Sequence, residues 1–284
     1  MKILDEQDSK DIKKWYYDAR VKFSMINSLN NREMSCLIPS WCEPETRKFN
    51  IRTLRVHSVQ HLDFIYSRLK IFEDNKPYNY YYSLAKYQIG LPYQDMRDLR
   101  RDNKDWILHH HKQMIIYDFV LDIDAGDEED IKYAYLSAKN IKTFLDLCDC
   151  PHEVRFSGRG FHFVIPYDYF LPHVIGISLN PKKPNNIYKY YYRIANYFSK
   201  HFSEMVDLKI YDSRRLLKIP YTLAIYEDNI FVCSPFFNRN DFYSFIPEQY
   251  KLNNYNKDKL GQGLHLFNKG KSIKNMLIKI GMIE

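Results

Sequence analysis

Between Met114 and Leu147 the chain changes its period. Met114 to Ile123 is an apolar run with the length and β-branched content of a strand. From Asp127 to Leu147, Ile131, Tyr135, Ala138, Ile141, Phe144 and Leu145 then recur at helical spacing. A strand that feeds an amphipathic helix through a short acidic turn (YDFVLDIDAGDEED, 117–130) requires a fold in which helices cover a sheet. The pattern continues downstream: strands over 152–157 and 161–166 flank SGRG, a Tyr-rich helix runs from about Asn186 to Val206, and strands recur near 208–211, 215–219 and 230–236. The expected class is α/β, in the sense of a mixed α+β fold.

Upstream, Ile12, Trp15, Tyr16, Ala19, Phe23 and Ile26 predict one helix over 9–29, capped by Asp8 or Ser9. Pro39 and Pro44 break the pattern over 36–46. A strand over 47–56, a Ser58-capped helix with an apolar stripe from Val59 to Leu69, and a strand over 78–87 come next. The tail after Tyr250 is rich in Asn, Lys and Gly until a short helix over 272–280. These features divide the chain into an N-terminal helix and loop (1–45), a core (46–250) and a C-terminal tail (251–284).

Composition restricts the function classes. With 45% hydrophobic and 27% charged residues in 284, the chain can bury a core and is neither disordered nor fibrous. The balance of 42 Lys and Arg against 35 Asp and Glu favours an anionic partner such as nucleic acid or nucleotide. Most of its 25 Tyr and 18 Phe are expected to fill the core rather than stack on bases. Five cysteines form no even framework, the N-terminus lacks an apolar leader, and no apolar run is long enough to span a bilayer. A reduced, cytoplasmic, nucleoid-associated setting without membrane insertion is the expectation.

Three stretches carry candidate chemistry. On a strand, residues two apart share a face, so Asp122 and Asp124 point the same way, with Asp118 on that face one pleat further back. Two adjacent carboxylates repel unless a cation or proton lies between them, and Mg²⁺ takes few carboxylates while keeping sites for phosphate. Asp127 to Asp130 read instead as a solvated helix start that suits the macrodipole. In RFSGRGFHFVIP (155–166), a glycine turn offers backbone amides, and Ser157, Arg159 and His162 add donors suited to phosphate oxygens. In VDLKIYDSRRLLKIPYTL (206–223), Asp207 at the end of the long helix is followed by Arg214, Arg215 and Lys218, a third carboxylate with cations near it.

In this order and spacing, LDIDA, SGRGFH and VDLKIYDSRRLLKIPYTL resemble the three catalytic motifs of the archaeo-eukaryotic primase superfamily, which includes primase small subunits and primase-polymerases. TRKF (46–49) is similar to an Arg-x-Phe stretch upstream of the first motif in primase small subunits. The resemblance implies a catalytic core with an RRM-like sheet unit and flanking helices. It implies that Asp122, Asp124 and Asp207 hold two Mg²⁺ or Mn²⁺ ions, Asp207 fitting better than Asp212. Ser157, Arg159, His162 and Lys218 would then bind nucleotide phosphates, with Arg215 and Arg47 as further contacts.

The activity that the resemblance implies is DNA-templated primer synthesis from NTP or dNTP on a single-stranded DNA template, by two-metal phosphoryl transfer. The setting is either stand-alone or beside a primase large subunit or other replication proteins. The rivals are a catalytically inactive primase-fold module that binds nucleic acid in replication, and another two-metal enzyme such as a nuclease. There are departures. Where primase small subunits commonly have a His after the third motif's proline, this chain has Ala224, and the zinc stem that many carry after the first motif is missing. Cys148, Cys150 and His152 are too tightly spaced for the usual zinc pattern, so structural zinc is not expected, and His109 to His111 read as an exposed turn.

Overall fold

The computed structural model describes residues 5–29, 31–37, 49–54, 56, 58–68, 79–87, 114–125, 131–213, 215–226, 229–260, 262 and 265–284. Arg47, His109 to His111 and Asp127 to Asp130 lie outside these described residues.

The chain opens with two helices rather than one, α1 (Glu6–Tyr17) and α2 (Ala19–Ser28). Asp18 leaves the helical region at ψ 125° and turns its carboxylate onto Arg20 N, ending one helix and capping the next. The first helix also starts earlier than expected, on a capping box between Asp5 and Asp8. The break rephases the apolar stripe, so that Val21 and Met25 are buried while Phe23 is half exposed. The α1 side chains reach deep into the fold: Trp15 Nε1 donates to Tyr221 O at 2.9 Å, and Tyr16 OH lies 3.0 Å from Thr222 Oγ1 and accepts from Leu223 N at 2.9 Å.

Strands β1 (Met34–Leu37) and β2 (Phe49–Leu54) pair antiparallel; β1 falls at the start of the stretch expected to be a loop. Helix α3 (Val59–Arg68) begins on Ser58, whose hydroxyl accepts from His61 N as expected. The stretch 79–87 is then divided by Leu84 into β3 (Asn79–Ser83) and β4 (Ala85–Tyr87). Likewise, 114–124 is divided by Asp118 into β5 (Met114–Tyr117) and β6 (Phe119–Asp124). The two interruptions lie together, since Asp118 N donates to Leu84 O at 3.3 Å, and they mark where the paired chain leaves one sheet for the other. Buried Arg32 ties both: its guanidinium donates to Ser83 O at 2.9 Å and Leu84 O at 2.7 Å and forms an ion pair with the Asp118 carboxylate. Asp118 also accepts from Tyr167 N at 2.9 Å. It is therefore a buried structural carboxylate, its oxygens taken by Arg32 and Tyr167 N.

Helix α4 (Ile131–Leu147) is followed by β7 (Glu153–Phe156), β8 (Gly160–Ile165) and helix α5 (Ile187–His201). Helix α5 stops five residues short of the expected Val206, and the released chain extends along β6, with a bridge between Ile123 and Val206. The order β6, α4, β7, β8, α5 and a return segment beside β6 is the RRM-like unit implied by the sequence resemblance. A 3-10 turn (Leu208–Ile210) stands where a strand was expected, because Asp207 caps it by accepting from Lys209 N at 2.8 Å.

The remaining elements are β9 (Leu216–Lys218), the hairpin β10 (Leu223–Tyr226) and β11 (Asn229–Val232), β12 (Ser234–Pro235), α6 (Arg239–Tyr243) and α7 (Lys274–Lys279). One four-stranded sheet has the order β2-β1-β3-β9 and the other β12-β7-β8-β6. On the second, Phe156, Phe161 and Phe163 face an aromatic core shared with α4, α6 and the following turn, as in the contact of Tyr135 with Phe161 at 5.9 Å. Tyrosine fills much of the rest: Tyr16, Tyr66 and Tyr80 meet ring to ring, with centroids 4.9–6.1 Å apart. C-terminal residues contribute Phe267, Ile273, Met276 and Leu277 to the core. Among the described residues, no helix is long and apolar enough to cross a membrane.

Candidate active site

The β6–β8 ladder places the first two sequence motifs side by side. Asp122 pairs in register with His162 and Asp124 with Gly160, while Arg155 on β7 stands on the other side of His162. Because residues directly opposite share a face, Asp122, Asp124, His162 and Arg155 line the face opposite the phenylalanine core. This face looks toward the other sheet: Arg155 donates to Tyr82 OH on β3 at 2.5 Å, and Lys218 on β9 donates to Ser157 O at 2.8 Å. The candidate site is thus the seam between the sheets.

The third carboxylate arrives by backbone pairing. Asp207 N donates to Asp122 O at 2.8 Å and Asp124 N donates to Met205 O at 3.2 Å, which seats Asp207 on the edge of β6. Asp212, the competing acid, is exposed and lies 3.8 Å from Arg215. Burial, helped by the charges of Asp124 and Asp207, pushes the Asp122 carboxyl up to about 7, against the smaller opposing pull of Lys218 and Arg215. His162 Nε2 lies 3.5 Å from Asp122 Oδ1. Burial and the nearby Lys218 and Arg155 cations hold this imidazole neutral, well below the usual histidine range.

The glycine turn is tightly built. Ser157 N donates to Gly160 O at 2.9 Å and Gly160 N donates back to Ser157 Oγ at 3.1 Å, so the Ser157 hydroxyl closes the turn instead of pointing at solvent. Gly158 has φ +95°, and a Cβ there would come within 2.2 Å of Ala224 Cβ. The departure at position 224 therefore has a packing reason, since the turn rests directly on Ala224. A Cβ on Gly160 would sit 1.8 Å from Ile123 O. The atoms it would meet are all backbone of Ile123 and Asp124, and Gly160→Ala is expected to destabilise the fold by about 3 kcal/mol. An unchanged urea midpoint would contradict this register.

Arg159 reaches from the turn to grip Asp124 with both guanidinium arms, Nε donating to Oδ1 at 2.7 Å. Arg215 donates to Ile210 O at 3.3 Å and Lys209 O at 2.6 Å, fastening the 3-10 turn after Asp207. The structure therefore brings Asp122, Asp124, Asp207, Arg159, His162 and Lys218 to one seam, with Arg215 at its rim. Arg155 is a residue that sequence reasoning missed. The signal was available, because a cation at the same strand parity as Ser157, inside an apolar strand, needs a partner. Glu153 and Tyr82 supply it: burial pulls the Arg155 pKa down, and the two partners together more than offset that pull.

The donor set fits a divalent cation in its chemistry, for Asp122 is held among like charges that only a proton or a cation relieves. As arranged, however, no three His, Cys, Asp or Glu side chains among the described residues converge to hold a metal ion. The reason is visible at two members, Asp124 being held by Arg159 and Asp207 by the backbone of Lys209. Cys148, Cys150 and His152 lie elsewhere and are buried. His152 stacks on Phe267, with its Nδ1 2.8 Å from Cys150 O, and burial pushes its pKa down to about 4.

No protein-family model matches the chain. No curated protein matches it either. Among solved structures, it is similar to the polymerase domain from Mycobacterium tuberculosis ligase D in complex with DNA, at 12% identity and a TM-score of 0.50, over 86% of this chain and 84% of that one. At that identity the likeness is one of fold: a mixed helix and strand architecture shared with that polymerase domain.

Proposed function

We propose that the protein is a DNA-templated nucleotidyltransferase that synthesises primers, with its catalytic core in residues 46–250. The observation that carries this reading is the seam itself. A row of carboxylates on β6 faces the Arg and His of SGRGFH across one ladder, and Lys218 approaches from the opposite sheet.

In this reading Asp122, Asp124 and Asp207 hold two Mg²⁺ or Mn²⁺ ions. Bound there, the ions supply Lewis-acid activation of a primer 3′-hydroxyl and charge neutralisation at the triphosphate. Arg159 serves two partners in turn, since the fork that grips Asp124 has the geometry that grips phosphate. Lys218 contributes ammonium donors from β9, and the neutral His162, its Nε2 3.5 Å from Asp122 Oδ1, stands beside that carboxylate without adding charge. Arg215 and Arg47 assist at the triphosphate, and Ser157 shapes the turn that presents Arg159. Single-stranded DNA is the template and NTP or dNTP the substrate, with a primase large subunit or other replication proteins as companions. An inactive binding module would gain nothing from holding Asp122 half-buried beside two other acids, and this favours the enzyme.

Calorimetric titration with a nucleoside triphosphate and Mn²⁺ tests the assignment. Arg159→Ala and Lys218→Ala are each expected to weaken binding about tenfold or more, the scale of a hydrogen bond to a charged group. Triphosphate binding that needs no divalent ion and ignores both substitutions would remove the reading.

A further inference from the structure

The positive charge of the chain is concentrated. From Tyr169 to Ser203 there is no Asp or Glu, while Lys182, Lys183, Lys189, Arg193 and Lys200 contribute five cations to a protein of formal charge +7. The second half of this stretch is α5, which buries Tyr191, Ile194, Ala195 and Phe198 against the core. At 3.6 residues per turn, that leaves Lys189, Tyr192, Arg193 and Lys200 on the outer face, and all four are exposed. None of these three cations has an ion-pair partner among the described residues. Lys189 and Arg193 are also four residues apart, a like-charge spacing that weakens a helix by a few tenths of a kcal/mol unless an anion lies over it.

The face is continuous with the seam. Tyr192 is 44% exposed, and its ring stands edge-on to Tyr211 at 6.4 Å. The hydroxyl of Tyr211 donates to Val120 O on β6 at 2.6 Å, two residues from Asp122. Exposed Lys209 projects from the 3-10 turn that packs against α5 and follows Asp207 directly. From Lys189 to Lys200 the row extends about 16 Å at 1.5 Å per residue. Cations in a line with an exposed aromatic ring among them are what a single strand requires, since its phosphates track charge while its unstacked bases take ring faces. A duplex or an acidic protein would engage the cations but has no use for the ring.

We propose that the outer face of α5, formed by Lys189, Tyr192, Arg193 and Lys200 and continued by Lys209, binds single-stranded nucleic acid and leads it to the Asp122 seam. The strand's role as template rests on the nucleotidyltransferase reading, whereas the binding does not.

The test is fluorescence anisotropy of the full chain with an end-labelled, mixed-sequence single-stranded oligodeoxynucleotide across a KCl series. Each neutralised phosphate contributes a slope of about −0.7 for single strands, so Lys189→Ala/Arg193→Ala/Lys200→Ala is expected to flatten log K against log salt by about 2 and weaken low-salt binding on the order of 100-fold. Tyr192→Ala is expected to weaken binding about tenfold with the slope unchanged. Wild-type affinity and slope in the triple variant, with circular dichroism unchanged, overturn the proposal, as does tighter binding of a duplex of equal length or of polyglutamate. Loss of binding in the α5 variant alongside a wild type that fails to join nucleotides would leave this inference standing and remove the enzymatic one.

Discussion

Asp122→Asn is expected to make the metal-free protein more stable at pH 8, by on the order of 2 kcal/mol, while removing the proposed nucleotide incorporation. The Asp122 carboxyl is pushed up to about 7 from an ordinary 3.8, by burial first and by Asp124 and Asp207 next. Each pKa unit corresponds to about 1.4 kcal/mol, and the figure is discounted because the side chain remains 23% exposed. The sign comes from proton counting. Between the unfolded and folded pKa values the native state holds a proton that the unfolded chain has lost, so stability falls as pH rises from about 4 to about 7. The wild type should therefore lose stability over that window relative to Asp122→Asn, with the difference fully developed above the folded pKa. Urea melts of both proteins at pH 5 and pH 8 in EDTA read this directly, and a difference that is the same at both pH values would contradict it. On the proposed reading, the fold gives up stability at Asp122 to keep charge at the site.

Arg32→Ala is expected to cost about 3–5 kcal/mol, and Asp118→Ala a similar amount, because each leaves the other charge buried without its partner. The pair does more than neutralise. Arg32 collects the carbonyls of Ser83 and Leu84 at the point where the chain leaves the β3 sheet, and Asp118 receives Tyr167 N at the start of β6. Loss of either lets the sheets shift at the hinge that sets the seam. In a double-mutant cycle the combined Arg32→Ala/Asp118→Ala protein should be less damaged than the sum of the single variants. Strict additivity would show that the ion pair does not hold the hinge.

The succession of elements from the strand before Asp124 to the helix after Asn186 was legible because each has a period of its own, while the RRM-like unit was implied by the motif resemblance. The interruptions were not legible. Leu84 and Asp118 stand inside apolar alternation, and only Arg32, distant in sequence, reveals that the strands bend there. Asp18 looked like one more polar position on a helix, because a cap that both ends and starts a helix has no period of its own. At the site, Asp122 and Asp124 were visible as acids in an apolar strand, and Arg159 and His162 as donors near a glycine turn. The Arg159 grip on Asp124 and the closing of the turn by the Ser157 hydroxyl depend on register across β6 and β8, which local pattern does not encode.

Incorporation of labelled nucleotides on a single-stranded DNA template, with Mg²⁺ or Mn²⁺ and with NTP and dNTP supplied separately, tests the central claim most directly. The wild type should yield template-dependent, divalent-dependent product, and Asp122→Asn should lose it by about a thousandfold or more, the scale of a lost charge-stabilising group at a transition state. Absence of product from the wild type, or equal product from Asp122→Asn, would contradict it.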